Sequence, residues 1–235
     1  MPFFDRRDAG RRLVERLRAF RGDDVVVLAV PRGGAEVAFE VATALRVPMD
    51  VAVVRKLGVP FQPPLVFGAI AEDQVRIIDD DTVVRAFVSE KERRQVLLTE
   101  REVLARKAIV YRCGRPRLPL AGRTALIVDD GVTTGATAQA ACASARAQGA
   151  IRVVYAVPVG PCRPIRQLAT LVDNVVCLET PELFHSIGQW YRDFHEVDDK
   201  QVVDLLDRAN NRWLQTRSLG TGPPGAAWPS RPHAR

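Results

Sequence analysis

The chain has 235 residues, 47% of them apolar and 26% charged, with a formal net charge of +6 and a pI near 9.5. That length suits one α/β domain with a small appended part, and no apolar run approaches the length of a membrane span. Residues 1–21 lack the apolar core of a signal peptide. Cys113, Cys142, Cys162 and Cys177 form no C-x-x-C pair, and no histidine has a partner at metal-ligand spacing, which argues against a zinc site and for reduced thiols in the cytoplasm.

Much of the positive excess sits at the ends. Residues 1–21 hold seven arginines against three acids, and residues 215–235 hold three arginines and no acid. A nucleic-acid surface is one reading of such ends. A solvated helix face and a loose tail explain them more simply, so nucleic acid is not the expected partner, and neither is a membrane.

Asp5 to Phe20 reads as an amphipathic helix with Leu13, Leu17 and Phe20 on one stripe. Val25 to Val30 is an apolar strand running into Pro31-Arg32-Gly33-Gly34, and a helix carrying Val37, Val41 and Leu45 follows. Two glycines can turn backbone N–H groups inward, and Arg32 supplies a fixed charge, so this turn is either an anion site or a bare strand-to-helix connection. Asp50 to Val54 is the second strand, followed by the cations Arg55 and Lys56. Leu57 to Ala71 is rich in Pro and Gly and reads as a mobile lid. Val75 to Ile78 is a short strand. Ser89 to Arg112 is a long helix opened by a Ser89-x-x-Glu92 capping box.

Ala125 to Val128 is a short unbroken apolar run, expected as a strand buried on both faces. It ends in Asp129 and Asp130 and passes through Gly131, Val132, Thr133, Thr134 and Gly135 into an alanine-rich helix from Ala136 and Thr137. Ligands bind outside the carboxyl ends of strands in open α/β sheets, and a helix N-terminus there suits a phosphate. The carboxylates would repel that phosphate but accept from sugar hydroxyls nearby. A phosphate cradle beside two hydroxyl acceptors describes a ribose 5-phosphate site. There is no P-loop and no dinucleotide fingerprint. Arg152 to Val157 and Asn174 to Leu178 are further strands, with a helix between them. Strands alternating with helices predict a doubly wound, mostly parallel α/β sheet of about five strands, with a long helical insertion and a small C-terminal segment.

Leu183 to Phe194 concentrates Phe184, Trp190, Tyr191 and Phe194, and Asp198 to Trp213 is a last amphipathic helix. The composition then collapses to Gly, Pro, Ser and Ala, so the expected division is a domain over residues 1–214 and a disordered tail over 215–235.

Residues 125–137 resemble the PRPP-binding motif of type I phosphoribosyltransferases. The Asp5-Arg6-Arg7-Asp8-Ala9-Gly10 opening resembles an uncharacterised bacterial and archaeal subgroup of that family. Some relatives carry a fused hydrolase, but no G-x-S-x-G elbow occurs in these residues. The resemblance implies transfer of ribose 5-phosphate from PRPP to a nitrogenous acceptor, such as a base in nucleotide salvage, with Mg2+ carried on the pyrophosphate. It implies a homodimer as well. A non-catalytic regulator that binds PRPP or nucleotides is the alternative. On this reading Asp129, Asp130, Arg55 and Lys56 are the catalytic set. Arg32, Gly33 and Gly34 hold pyrophosphate, while Gly131, Val132, Thr133, Thr134, Gly135, Ala136 and Thr137 grip the sugar phosphate. Trp190 and Asp193 are loosely similar to the base-pocket aromatic and carboxylate of the purine enzymes.

Overall fold

A computed structural model of the chain describes residues 3–22 and 24–218. In chain order the elements are α1 (Arg6–Leu17), β1 (Val25–Ala29), α2 (Gly34–Leu45), β2 (Met49–Val51), β3 (Val54–Val59), β4 (Gln62–Ala71), β5 (Arg76–Ile78), α3 (Asp80–Arg85), α4 (Glu90–Arg112), β6 (Thr124–Val128), α5 (Ala136–Ala147), β7 (Arg152–Val159), α6 (Cys162–Ala169), β8 (Asn174–Glu179) and α7 (Asp199–Ser218).

Five of the strands form one parallel sheet in the order β2-β1-β6-β7-β8. The expected doubly wound α/β sheet is present. Its central strands are apolar on both faces because both faces are covered. On β6, Leu126 and Val128 pack with Leu13, Val41 and Leu205 on one side. Ala125 and Ile127 pack with Ala138, Ala141 and Tyr155 on the other. The small side chains of α5 let it lie close to the sheet, with Ala140 reaching Ala69 and Ala71 of β4.

Register decides where the site can be. Leu28 pairs with Ile127 and Ala29 with Val128, so β1 and β6 end level with each other. The Val30 N–H also donates to the Val128 carbonyl at 2.9 Å. The loops that leave these two strands therefore begin side by side at the carboxyl edge of the sheet.

The stretch read as a mobile lid has a defined structure. β3, β4 and β5 make a separate antiparallel sheet, with Leu57 and Phe67 fully buried beneath it. Gly68 allows the hairpin to close, since a Cβ there would lie 2.3 Å from the Ile77 carbonyl oxygen. The core strand expected over Asp50 to Val54 stops at Val51 and the hairpin begins at Val54. Arg55 and Lys56 thus ride on the hairpin. At the far end α7 continues to Ser218, four residues beyond the expected boundary at 214; the rest of the expected tail lies outside the described residues. Among the described residues no helix is long and apolar enough to cross a membrane.

A buried charge cluster joins the insertion to the sheet. Arg112 at the end of α4 donates through Nε to Asp50 at 2.9 Å, through Nη2 to the Val51 carbonyl at 2.9 Å, and through Nη1 and Nη2 to Glu72 at 2.7 and 2.9 Å. The Leu118 N–H completes the Asp50 carboxylate at 3.0 Å. Replacing Arg112 by Met leaves the buried Asp50 carboxylate without its cation and the half-buried Glu72 to the more distant Arg117 at 3.8 Å, so unfolding stability is expected to drop by about 3–5 kcal/mol in urea titration. A loss under about 1 kcal/mol would mean that water screens the cluster.

Candidate functional site

The cleft sits where the β1 and β6 loops meet. It has a volume of ≈ 180 Å³ and gathers Arg32, Gly33, Lys56, Asp129, Asp130 and the loop from Gly131 to Gly135, with Thr137, Tyr155 and Ile187 completing the wall. Two of the glycines are there because the loops touch. A Cβ on Gly33 would lie 2.0 Å from Asp130 Oδ2, and one on Gly34 would lie 2.9 Å from the Asp129 Cα. The Pro31–Arg32 peptide bond between strand and glycines is cis.

The opposite wall is the N-terminus of α5. Gly135 is its N-cap, in the left-handed region at φ +87°, and no side chain caps the helix there. Thr133 and Thr134 are exposed at this end, with Thr137 half-buried one turn on. N-terminal amides, a positive dipole end and three hydroxyls make an arrangement that can hold an anion. Ala136 opens the helix and packs toward β4, so it contributes backbone rather than a lining side chain.

The acids occupy different surroundings. Asp130 is buried, and its Oδ2 accepts from Arg6 Nε at 2.7 Å; the Tyr191 hydroxyl donates to its carbonyl at 2.5 Å. Asp129 has no such cation. Its Oδ1 accepts from the Asp130 N–H at 2.8 Å, and the Tyr155 hydroxyl stands 3.5 Å from its Oδ2. Burial, and then the neighbouring Asp130 carboxylate, hold the Asp129 pKa well above the usual carboxylate range, while Lys56 pulls the other way. The same burial, with the Asp129 charge behind it, raises the Tyr155 phenol far above its ordinary value.

The two adjacent cations part company. Successive strand residues point to opposite faces, so Lys56 lines the cleft while Arg55 turns toward α4. There it donates through Nε to Glu100 at 2.7 Å. Arg55 lines a second cavity of ≈ 320 Å³ with Pro31, Arg32, Lys107 and Tyr111. Arg32 borders both spaces, and its Nη2 donates to Glu196 at 2.6 Å across the exposed rim. Arg55 therefore joins the outer cavity and not the cleft that holds the acids.

Trp190 and Asp193 do not line the cleft either. Trp190 packs against the cluster of Phe3, Val159 and Tyr191, because the N-terminal residues pair with this segment: the Phe3 N–H donates to the Trp190 carbonyl at 2.6 Å and the Arg192 N–H to the Phe3 carbonyl at 2.9 Å. Asp193 is exposed and accepts from the His195 N–H at 3.2 Å. Ile187 is the residue of this segment that reaches the cleft, seated over Gly131, where a Cβ would come within 2.6 Å of its side chain. An isoleucine among aromatics carries no signal in sequence, and Tyr155 is hidden inside an apolar strand. Arg6 did carry one, as part of the distinctive opening of residues 5–10.

The chain belongs to the phosphoribosyl transferase domain family, whose model matches residues 6–195. It is 52% identical over 223 residues to two Mycobacterium tuberculosis proteins named "Putative phosphoribosyl transferase", Rv0571c of strain H37Rv and MT0597 of strain CDC 1551. The match covers 92% of this chain and 49% of each of those proteins, so the chain spans about half the length of the curated relatives it matches. The crystal structure of TT1426 from Thermus thermophilus superposes with a TM-score of 0.73 at 37% identity, covering 88% of this chain and 98% of that one.

The setting of Asp129 has a measurable cost. In the unfolded chain its carboxyl ionises in the ordinary range, whereas the folded protein favours the proton to higher pH, so wild-type stability falls as pH rises from the unfolded value toward the raised folded one. Asp129→Asn is expected to be more stable than wild type at pH 8, by on the order of 1 kcal/mol in thermal unfolding. Its advantage should shrink toward pH 4. An equal or lower melting point at pH 8 would contradict that account.

Proposed function

We propose that this member of the phosphoribosyl transferase family transfers ribose 5-phosphate from PRPP to a nitrogen acceptor and releases pyrophosphate. One observation carries the reading. A single cleft brings together the Thr133–Thr137 helix-end cradle, the Asp129–Asp130 pair, the Arg32–Gly34 turn and Lys56.

In this reading the amides and hydroxyls of residues 133–137 hold the 5-phosphate. Asp129 and Asp130 accept from the ribose hydroxyls and lie beside the ring carbon as it gains positive character. Lys56, Arg32 and the backbone of Gly33 and Gly34 hold the departing pyrophosphate. The chemistry asks for fixed charge and alignment more than for covalent help. Arg32 stands in a carboxylate pair with Glu196, and an incoming pyrophosphate exchanges one anion for another at this exposed guanidinium.

Magnesium fits as part of the substrate. In this reading the ion arrives on the phosphate oxygens of PRPP. Its contribution when bound is to neutralise charge on the leaving group. Asp129, facing the same cleft, is the carboxylate best placed to orient it.

The acceptor is a nitrogen nucleophile of open identity. Trp190 and Asp193, the residues loosely similar to the base pocket of the purine enzymes, lie outside the cleft, and the residue of that segment that enters it is the apolar Ile187. Because Ile187 cannot act as a base, a second reading keeps PRPP or nucleotide binding without transfer.

Calorimetric titration of PRPP with magnesium is expected to give micromolar binding to the wild type and none to Asp129→Asn/Asp130→Asn. Pyrophosphate release across a panel of nitrogen acceptors separates transfer from binding alone. A folded wild type that does not bind PRPP would end both readings.

A further inference from the structure

The opening Asp5-Arg6-Arg7-Asp8-Ala9-Gly10 is a device for placing one side chain. Asp5 is the N-cap of α1 and accepts from the Asp8 N–H at 2.6 Å, while Asp8 accepts from the Phe4 N–H at 3.1 Å. Ala9 is fully buried. Gly10 lets α1 press against α2, since a Cβ there would lie 2.9 Å from both the Val37 carbonyl oxygen and the Glu40 Cβ. The helix start is thus fixed in phase and distance, and Arg6 points into the protein toward the acid pair.

Arg6 is 5% exposed. Its Nε donates to Asp130 Oδ2 at 2.7 Å, and its Nη1 donates to the His195 carbonyl at 2.7 Å and stands 4.0 Å from Glu36. Its guanidinium lies 3.9 Å from the centre of the Phe194 ring. The same ion pair supports the neighbouring turn, since a Cβ on Gly33 would come within 2.8 Å of Arg6 Nε. A planar fork is what these directions require, and a lysine could make one of the two hydrogen bonds but not both in this geometry.

We propose that Arg6 is a positioning residue of the ribose site: it holds Asp130 by Oδ2, leaves the other oxygen for a sugar hydroxyl, and ties this setting to the C-terminal segment through the His195 carbonyl. The inference rests on the ribose 5-phosphate reading of the cleft. It adds a link between two parts of the chain that the reaction uses separately. The C-terminal segment that carries Ile187 on the acceptor side also grips the arginine that sets the acid on the sugar side. Tyr191, in the same segment, holds the Asp130 backbone through its carbonyl. Movement of this segment would be felt at Asp130 through both contacts.

The test is a double-mutant cycle read by calorimetric titration of PRPP with magnesium into wild type, Arg6→Gln, Asp130→Asn and the double variant. Arg6→Gln is expected to bind about tenfold more weakly or worse, the effect of a lost charge-assisted bond. Added to Asp130→Asn, it is expected to cost nothing further. An equal loss in both backgrounds, or no loss in the wild-type background, would overturn the proposal. Arg6→Lys keeps the charge without the fork and is expected to bind more weakly than wild type; it carries the comparison if Arg6→Gln does not fold. If folded wild type fails to bind PRPP, the functional reading falls, and the arginine is judged in the ligand-free proteins by carbon NMR. The Asp130 carboxyl resonance is expected to move in Arg6→Gln, and an unmoved resonance would overturn the placement.

Discussion

The Arg32–Gly34 turn lies directly against the Asp129–Asp130 pair, with room for a hydrogen but not for a methyl group. The centre of the site depends on that contact. It exists because β1 and β6 are parallel neighbours that end level, so their loops start from the same edge. Two turns at this spacing can face one small ligand from two sides. The glycines are needed at 33 and 34 because any side chain there would displace the acids, with a Cβ at 33 falling 2.0 Å from Asp130 Oδ2.

Electrostatics gives the cleft its polarity. Two adjacent carboxylates are unfavourable company in a buried setting, and the fold separates their circumstances. Asp130 receives a buried guanidinium. Asp129 receives a backbone N–H and little else, and burial beside a second carboxylate raises its pKa. An acid kept under-compensated costs stability, a pattern frequent at functional sites. In the proposed reading the phosphate lies on the far side, at the N-terminus of α5, so the amides proposed to hold it and the acids proposed to hold the sugar do not compete for the same atoms.

The N-terminal residues and the 187–195 segment complete the site from behind. Phe3 pairs with Tyr191, and Arg6 reaches His195 and Asp130. Neither segment belongs to the central sheet. Their mutual pairing turns the 187–195 stretch into a wall of the cleft, and it also explains why Trp190 faces away from it: the N-terminal residues occupy the face on which that ring packs. The antiparallel hairpin adds Lys56 from the other side. Its order comes from burying Leu57 and Phe67 and from ladder bonds that its prolines and glycines do not advertise.

Local pattern was enough for much of this. The apolar run of β6 followed by two acids and a Gly/Thr loop, the strand and paired glycines at 25–34, the capping box at Ser89 and the alternation of strands and helices each express a period or a turn requirement within a few residues. From them the sequence by itself determined the parallel sheet, the Gly/Thr turn at the start of α5 and the acid pair at the end of β6. Tertiary structure alone decided which face of the hairpin Arg55 and Lys56 would present, which residue of the aromatic segment would enter the cleft, and that Arg6 would meet Asp130 across 124 residues of chain. Such choices depend on which surfaces are already occupied when elements pack. Residues far apart in sequence fix them by mutual exclusion and charge, so no window of the sequence contains them.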